Sequence, residues 1–331
     1  MNFTSLKLPV YASVVALFSF TASVSSADTV RVQGEAPGSF TYQVAAIFKR
    51  VIEDATDITF EVIPRGGSVA NTASVSMGLA DLGFANGLPV AWGANGLLEF
   101  EGNRQENNRI VFNGLVVAHQ IAAASQAYVD RTGNDSVSAA LGSENPVKML
   151  VQPAGSINPV VLNVLLKGFD TDLETQLAAG HVMQVPQAQM SQRIRDGFAE
   201  GIFSLAAIGN PDVTEVSLAR PMHFLTWTEA DMEIMRSIGF ASGTLPAESF
   251  NGQNEPYDVP IALNAMIANS SVSDDLVYEI TKAVIENRSR LAEANQVFAN
   301  WDPQKYIQEE FLVVPLHPGA ERYYRELGWI D

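Results

Sequence analysis

Strand-like and helix-like runs alternate along this chain, and that order leaves few folds open. Thr29 to Gln33 alternates in the manner of a strand. The loop Gly34-Glu35-Ala36-Pro37-Gly38-Ser39 follows, after which Val44, Ile47, Phe48, Val51, Ile52 and Ala55 fall at helical spacing. Ile58 to Ile63 reads as a second strand, and Ser68 as the cap of a helix running to about Leu79. Leu82 to Ala85 reads as a third strand, ending at Asn86. A β-α-β-α-β order predicts a parallel sheet with right-handed crossovers.

The pattern then repeats in kind, though not in sequence. Val147 to Val151 and His181 to Val185 read as strands, as does Gly201 to Ala207. Between them lie a helix through Val160, Val161, Val164, Leu165 and Leu166 and another from Ala188 to Phe198. Two α/β units in 331 residues predict two similar lobes. Residues 102–145 surround the apolar stretch Ile110 to Ala118 and read as the crossover to the second lobe; the Gly/Pro/Asn-rich stretch Thr244 to Pro260 reads as the return. The expected division is 28–118 in the first lobe, 119–255 in the second, and 256–331 back in the first. Ser273 is expected to cap a helix with Asp274 and Asp275 in its first turn, where negative charge suits the dipole.

Residues 1–27 differ from the rest. Lys7 is their only charge, an apolar stretch runs from Leu8 to Val24, and Ser25-Ser26-Ala27 closes the segment. This reads as a secretory leader cut after Ala27, leaving no membrane insertion by the mature chain. Loss of Lys7 makes the formal charge one unit more negative than −17. Such a surface repels nucleic acid and anionic lipid, so an anion would have to be held by local donors. No cysteine is present, which removes disulfides and thiolate chemistry. Phosphate-loop, dinucleotide, nucleophile-elbow and zinc-protease motifs are missing, and His119, His181, His223 and His317 are far apart in sequence. No catalytic residue, metal or cofactor is expected.

Three strand-to-helix joints carry candidate chemistry: 34–41, 65–71 and 153–159. Ligands of open α/β sheets bind at the carboxyl ends of strands, where helix N-termini offer unpaired N–H groups. Gly66 and Gly67 permit close backbone approach. Ser68 and Asn71 add a hydroxyl and an amide, and Arg65 a fork for a carboxylate. Gly155 and Ser156 read equally as turn chemistry, Asn158-Pro159 as a helix start, and Tyr42 as packing. Trp92 and Trp227 read as core.

Three stretches carry a resemblance: Gly66-Gly67-Ser68-Val69-Ala70-Asn71 with Gly78-Leu79-Ala80-Asp81-Leu82-Gly83-Phe84; Asp275-Leu276-Val277-Tyr278-Glu279-Ile280-Thr281-Lys282; and Val314-Pro315-Leu316-His317-Pro318-Gly319-Ala320-Glu321-Arg322-Tyr323-Tyr324-Arg325-Glu326-Leu327-Gly328. Together they resemble the TAXI family of TRAP transporter solute-binding proteins, from about Val30 to Gly328. The resemblance implies an α/β, two-lobed periplasmic binding protein (type II-like), each lobe a sheet flanked by helices with a ligand cleft between. It implies a periplasmic protein without catalysis that delivers a small carboxylate, such as glutamate or 2-oxoglutarate, to an ion-coupled, membrane-embedded TRAP permease subunit. Gly67, Ser68 and Asn71 match the family's first-lobe ligand loop. Tyr42 alone carries over from its Gly-Gly-Thr-Tyr-Tyr run. Gly155-Ser156-Ile157-Asn158 stands in place of Gly-Ser-Gly-Thr, and Gly209-Asn210-Pro211 follows the region of its Asp-Ala-Phe-Phe. The expected ligand set is therefore Tyr42, Arg65, Gly67, Ser68, Asn71, Asn86, Gly155, Ser156, Asn158 and Asn210. His317, in the tail, reads as packing, with Tyr323 and Leu327 packed along the helix that follows. Two rival readings are a periplasmic lyase or dehydratase, with His119 or Glu101 as its proton-transfer group, and a sensor subunit.

Overall fold

The computed structural model describes residues 28–331; the expected leader and its cleavage point lie outside the described residues. The first unit comprises β1 (Thr29–Gln33), α1 (Phe40–Ala55), β2 (Thr59–Ile63), α2 (Ser68–Ser76), β3 (Leu82–Asn86) and α3 (Gly87–Asn95). The long strand β4 (Asn108–Ser125) leads to the second unit: β5 (Met149–Val151), α4 (Ile157–Lys167), β6 (Val182–Gln184), α5 (Gln187–Arg195), β7 (Gly201–Ala206) and α6 (Pro211–Ala219). After β8 (Met222–Phe224) and β9 (Ala241–Leu245), the strand β10 (Tyr257–Asn269) returns to the first unit, completed by α7 (Asp274–Glu286) and α8 (Pro318–Glu326).

The strands run β2-β1-β3-β10-β4-β7-β5-β6, with β8 on β4 and β9 on β10. Read from either edge the order is the same: second strand, first, third, then a long strand. The pairs β1–β2, β1–β3, β5–β6 and β5–β7 are parallel, as the alternation predicts. The long strands depart from that expectation. β10 is antiparallel to β3 and β4, and β4 is antiparallel to β7.

Two apolar cores result. One gathers Val32, Phe48, Phe60, Phe112 and Tyr324; the other gathers Ile121, Leu150, Leu162, Phe203 and Met235. β4 contributes Ile110 to Val116 to the first and Ile121 to Ala124 to the second, and β10 changes core between Ala262 and Ala265. These two strands therefore join the lobes. The molecule is a two-lobed α/β protein. Leu88, Trp92 and Phe100, from the first unit, pack into the second core, and the Trp92 indole donates to the Ile238 carbonyl at 2.8 Å.

Local sequence explains most elements. α1 buries Phe40, Val44, Phe48, Val51 and Ile52 on one face, and its N-cap Ser39 accepts from the Tyr42 N–H at 3.1 Å. The Phe48 ring meets Phe84, Phe112 and Phe298 at 5.1–5.9 Å, tying α1 to the sheet.

Three local expectations are corrected. Ser68 is the first helical residue of α2, and its N-cap is Gly67; the Ser68 hydroxyl instead accepts from the Asn86 N–H at 3.0 Å. Ser273 stands at the N-cap of α7 but its side chain makes no cap bond. Leu327 is 39 % exposed, while Tyr323 is buried. His317 is fully buried and caps α8 through Nδ1, which accepts from the Gly319 N–H at 3.2 Å. No helix among the described residues is long and apolar enough to cross a membrane.

Candidate functional site

Residues at or just beyond the carboxyl ends of β1, β2, β3, β5, β6 and β7 all line one seam between the lobes. That is where a parallel sheet leaves its crevice. The seam holds three adjoining cavities of about 30, 40 and 100 Å³. The central one, of about 40 Å³, is polar and is lined from both lobes, by Ser68 and Asn86 on one side and Ser156, Asn158 and Asn210 on the other. Glu35, Gln152, Ser156 and Gln187 line both this cavity and the largest one. Phe40, Thr41, Ser68, Asn86 and Asn264 connect it to the smallest.

No Lys, Arg or His lines any of the three cavities. Positive potential comes instead from the starts of α1, α2, α3, α4, α5 and α6, each of which places its first residues or its N-cap on the seam. The start of α4 is the least satisfied. Ser156 is its N-cap but makes no side-chain cap bond; it is 6 % exposed, and its hydroxyl has no partner. The first-turn N–H groups of Ile157 and Asn158 have no helical acceptor by geometry, and Pro159 has no N–H to offer.

The start of α2 is satisfied in an unexpected way. The N–H groups of Val69 and Ala70 donate to the Gly155 carbonyl of the opposite lobe at 3.1 and 3.0 Å. Gly67 lies against Gly155 and Ser156 so closely that a Cβ there would stand 2.7–2.9 Å from their backbone atoms. These amides, expected to face a ligand, latch the lobes together.

The other expected residues divide by role. Asn71 is fully buried behind the loop. Its Oδ1 accepts from the Gly67 N–H at 3.1 Å, and its Nδ2 donates to the Gly34 and Phe84 carbonyls at 2.9 and 2.7 Å, so the amide expected for a ligand holds the glycine loop instead. Asn158 is also spent internally: Oδ1 accepts from the Leu205 N–H at 2.8 Å, and Nδ2 donates to Gln152 Oε1 at 2.6 Å. Asn86 caps α3 through Oδ1 and donates to Asn264 Oδ1 at 2.9 Å. Asn210 caps α6 through Oδ1, accepting from the Asp212 N–H at 3.3 Å. Arg65 is exposed and Tyr42 half-buried, and neither lines a cavity. The Arg65 carbonyl accepts from Gln33 Nε2 at 2.7 Å, which ties this loop to β1.

Glu35, Gln152 and Gln187 were not singled out by sequence. A signal for them existed: each stands within a few residues of a strand's carboxyl end. Asn264, in the middle of β10, had none. Glu35 has no cationic partner among the described residues. Burial pushes its carboxyl up to about 7, while the hydroxyls of Thr41 and Ser39 pull it down and the charge of Asp212 adds to the rise. Asp212 is itself raised by burial; its Oδ2 accepts from Ser204 Oγ at 2.8 Å and Gln187 Nε2 at 3.2 Å.

A pH dependence follows. A carboxyl raised in the folded state contributes stability that is full below its unfolded pKa and lost as pH rises through the folded one. Wild-type stability should therefore fall between pH 5 and 8. Glu35→Gln should flatten that decline, the difference reaching about 2–3 kcal/mol at pH 8. Thermal denaturation of both proteins across this range is the check; identical profiles would mean that Glu35 is solvated in solution.

A family model described as the NMT1-like family matches residues 39–328. Among solved structures, a periplasmic thiamin binding protein is similar at 11 % identity and a TM-score of 0.51, over 89 % of this chain and 87 % of that one. This is a likeness of fold. A structure titled as a periplasmic transporter matches at 13 % identity and a TM-score of 0.47, over 93 % and 94 %. The periplasmic aliphatic sulphonate binding protein SsuA from Escherichia coli matches at 11 % and 0.43, over 92 % and 84 %.

Proposed function

The chain belongs to the NMT1-like family, and from that premise we propose that it is an extracytoplasmic solute-binding protein that captures a small carboxylate between its lobes. Glutamate and 2-oxoglutarate are the ligands to try first. Delivery is to an ion-coupled TRAP permease, as in the TAXI group that the Gly66–Asn71 loop and the tail resemble, and the place of work is the periplasm. The lobes are 28–118 with 256–331, and 119–255, with the hinge in β4 and β10.

One observation carries this reading. A polar cavity between the lobes is ringed by the starts of six helices, and the start of α4 meets it with an unpartnered hydroxyl and two spare N–H groups. Such a site holds an anion without a cationic side chain, which suits a chain of net charge −17. The site residues proposed to touch ligand are Ser156, Ser68, Asn86 and Asn210, with Gly67, Gly155, Asn71 and Asn158 shaping the seam. Binding fits better than catalysis. His119 lines no cavity of the seam, and Glu101 is exposed.

Calorimetry of the mature protein against glutamate, glutamine, 2-oxoglutarate and C4-dicarboxylates tests the proposal. The tightest binder should lose about tenfold in affinity in Ser156→Ala, the worth of one hydrogen bond to a charged group. Thermal stability of the free protein should hardly change, because the hydroxyl has no partner to lose. No heat with any carboxylate would end the proposal.

A further inference from the structure

The donors of the cleft account for a carboxylate and leave its acceptors unexplained. Glu35 lines the central and largest cavities, and no Lys, Arg or His lines either. No ion pair among the described residues includes it. Gln187 lines the same two cavities, and its Oε1 is buried without a partner. The orientation of that amide is set from behind: Nε2 donates to Asp212 Oδ2 at 3.2 Å, which leaves the oxygen turned to other company. Asp212 accepts from Ser204 Oγ and the Val213 N–H as well, so its carboxyl group is fixed in place.

A carboxylate oxygen from one lobe and an amide oxygen from the other, lining the same two cavities, are both hydrogen-bond acceptors. A ligand without an N–H or O–H donor cannot satisfy them. A keto acid or plain dicarboxylate would also bring its own negative charge against Glu35 without an ammonium to offset it. An ammonium group would satisfy both acceptors at once and cancel the charge of Glu35.

We propose that Glu35 and Gln187 select for a protonated nitrogen, so that the ligand is an α-amino acid held with its ammonium at these two residues and its carboxylate at the start of α4. This rests on the carboxylate-binding reading above. Glu35 is then the specificity-determining residue of the cleft, separating amino acids from their 2-oxo counterparts. The ordering of affinities follows from the asymmetry of polar recognition: a site built for an ammonium rejects the analogue that lacks it, because Gln187 Oε1 stays unpaired and the charge of Glu35, which among the described residues only the Thr41 and Ser39 hydroxyls meet, stays unbalanced. Burial between the closed lobes raises the Glu35 carboxyl toward neutrality; a bound ammonium restores its charge.

Matched pairs that differ only at C2 give the test. Calorimetry at pH 7.5 compares L-glutamate with 2-oxoglutarate, and L-alanine with pyruvate, on the wild-type protein and on Glu35→Gln. In at least one pair the amino acid should bind wild type at least 30-fold more tightly than its keto partner. Glu35→Gln should cost that amino acid at least tenfold and leave the keto acid within threefold. A keto acid that binds wild type as tightly as its amino partner would overturn the assignment, whatever the variant does. So would a variant that weakens both members equally, since a merely structural Glu35 would act that way. Succinate or malate binding with no amino acid bound would overturn this inference and leave the carboxylate reading standing. Silence from every acid tried would remove both.

Discussion

Replacing Gly114 with alanine should destabilise the protein by about 3–5 kcal/mol, the combined cost of a left-handed non-glycine backbone and a forced overpacking. Gly114 has φ +60°, and a Cβ built on it would stand 2.1 Å from Tyr306 Cγ and 2.6 Å from Tyr306 Cβ. Those atoms lie next to the Tyr306 backbone and have little room to yield. Their ring is packed edge-on against Phe311 at 5.3 Å with the Lys305 ammonium over it. The glycine sits in a bulge where β4 leaves its register with β10. Asn264 faces Val116 and Met266 faces Phe112, so β10 advances two residues while β4 advances four. The bulge is pinned by Asn113, whose Nδ2 donates to the Tyr306 and Phe311 carbonyls at 3.0 and 2.8 Å and whose carbonyl accepts from the Trp301 indole at 3.0 Å. Urea denaturation should show the loss. In a Tyr306→Gly background, which removes the steric partner, Gly114→Ala should cost only about 1–2 kcal/mol more, the backbone part. A loss under 1 kcal/mol for Gly114→Ala alone would show that the bulge rearranges freely.

That bulge also marks where sequence reading stops. The alternation of Val44, Ile47, Phe48, Val51 and Ile52 is a local signal, so α1 is legible from spacing alone. The joints after β1, β2 and β5 are legible for the same reason. β4 is different. It runs for 18 residues, nearly all buried on both faces, so no period of two marks it. Asn113, Gly114, His119 and Gln120 interrupt its apolar run and make it look like several short pieces. Its antiparallel neighbours, β7, β8 and β10, come from distant parts of the chain.

The site was legible in a similarly uneven way. Ser68, Asn86, Ser156, Asn158 and Asn210 line the seam because a helix start at a strand's carboxyl end is a property of the topology. The same rule nominates Gln152 and Gln187, which no motif flagged. What the rule lacks is the third dimension between lobes. Nothing local in Gly66-Gly67-Ser68 says that its N–H groups meet the Gly155 carbonyl. Nothing local in Arg65 says that its side chain stays in solvent. Asn71 and Asn158 carry the residue type of a ligand contact, yet each is consumed by bonds from several segments, which only the assembled fold shows.

Gly67→Ala should weaken binding of the tightest carboxylate by about 100-fold, because it holds the lobes apart. Two latch bonds, from Val69 and Ala70 to the Gly155 carbonyl, contribute about 0.5–1.5 kcal/mol each when closed. An alanine Cβ would meet the Gly155 oxygen at 2.7 Å and the Ser156 Cα at 2.9 Å. Both are backbone atoms of the other lobe, so no rotamer change relieves the contact. The lobes must separate, and the cavity walls from Ser68 and Ser156 separate with them. A ligand that touches both walls only in the closed form then loses its differential affinity for that form. Scattering in saturating ligand should show wild type contracting and Gly67→Ala keeping the radius of gyration of the empty protein. Gly66→Ala is the contrast. Its Cβ would stand 2.1 Å from Asn71 Oδ1 within the same lobe; both substitutions also strain a positive-φ backbone, +120° at Gly66 and +156° at Gly67, and should lower thermal stability, but only Gly67→Ala should block closure. A Gly67→Ala protein that contracts and binds like wild type would mean that the latch does not form in solution.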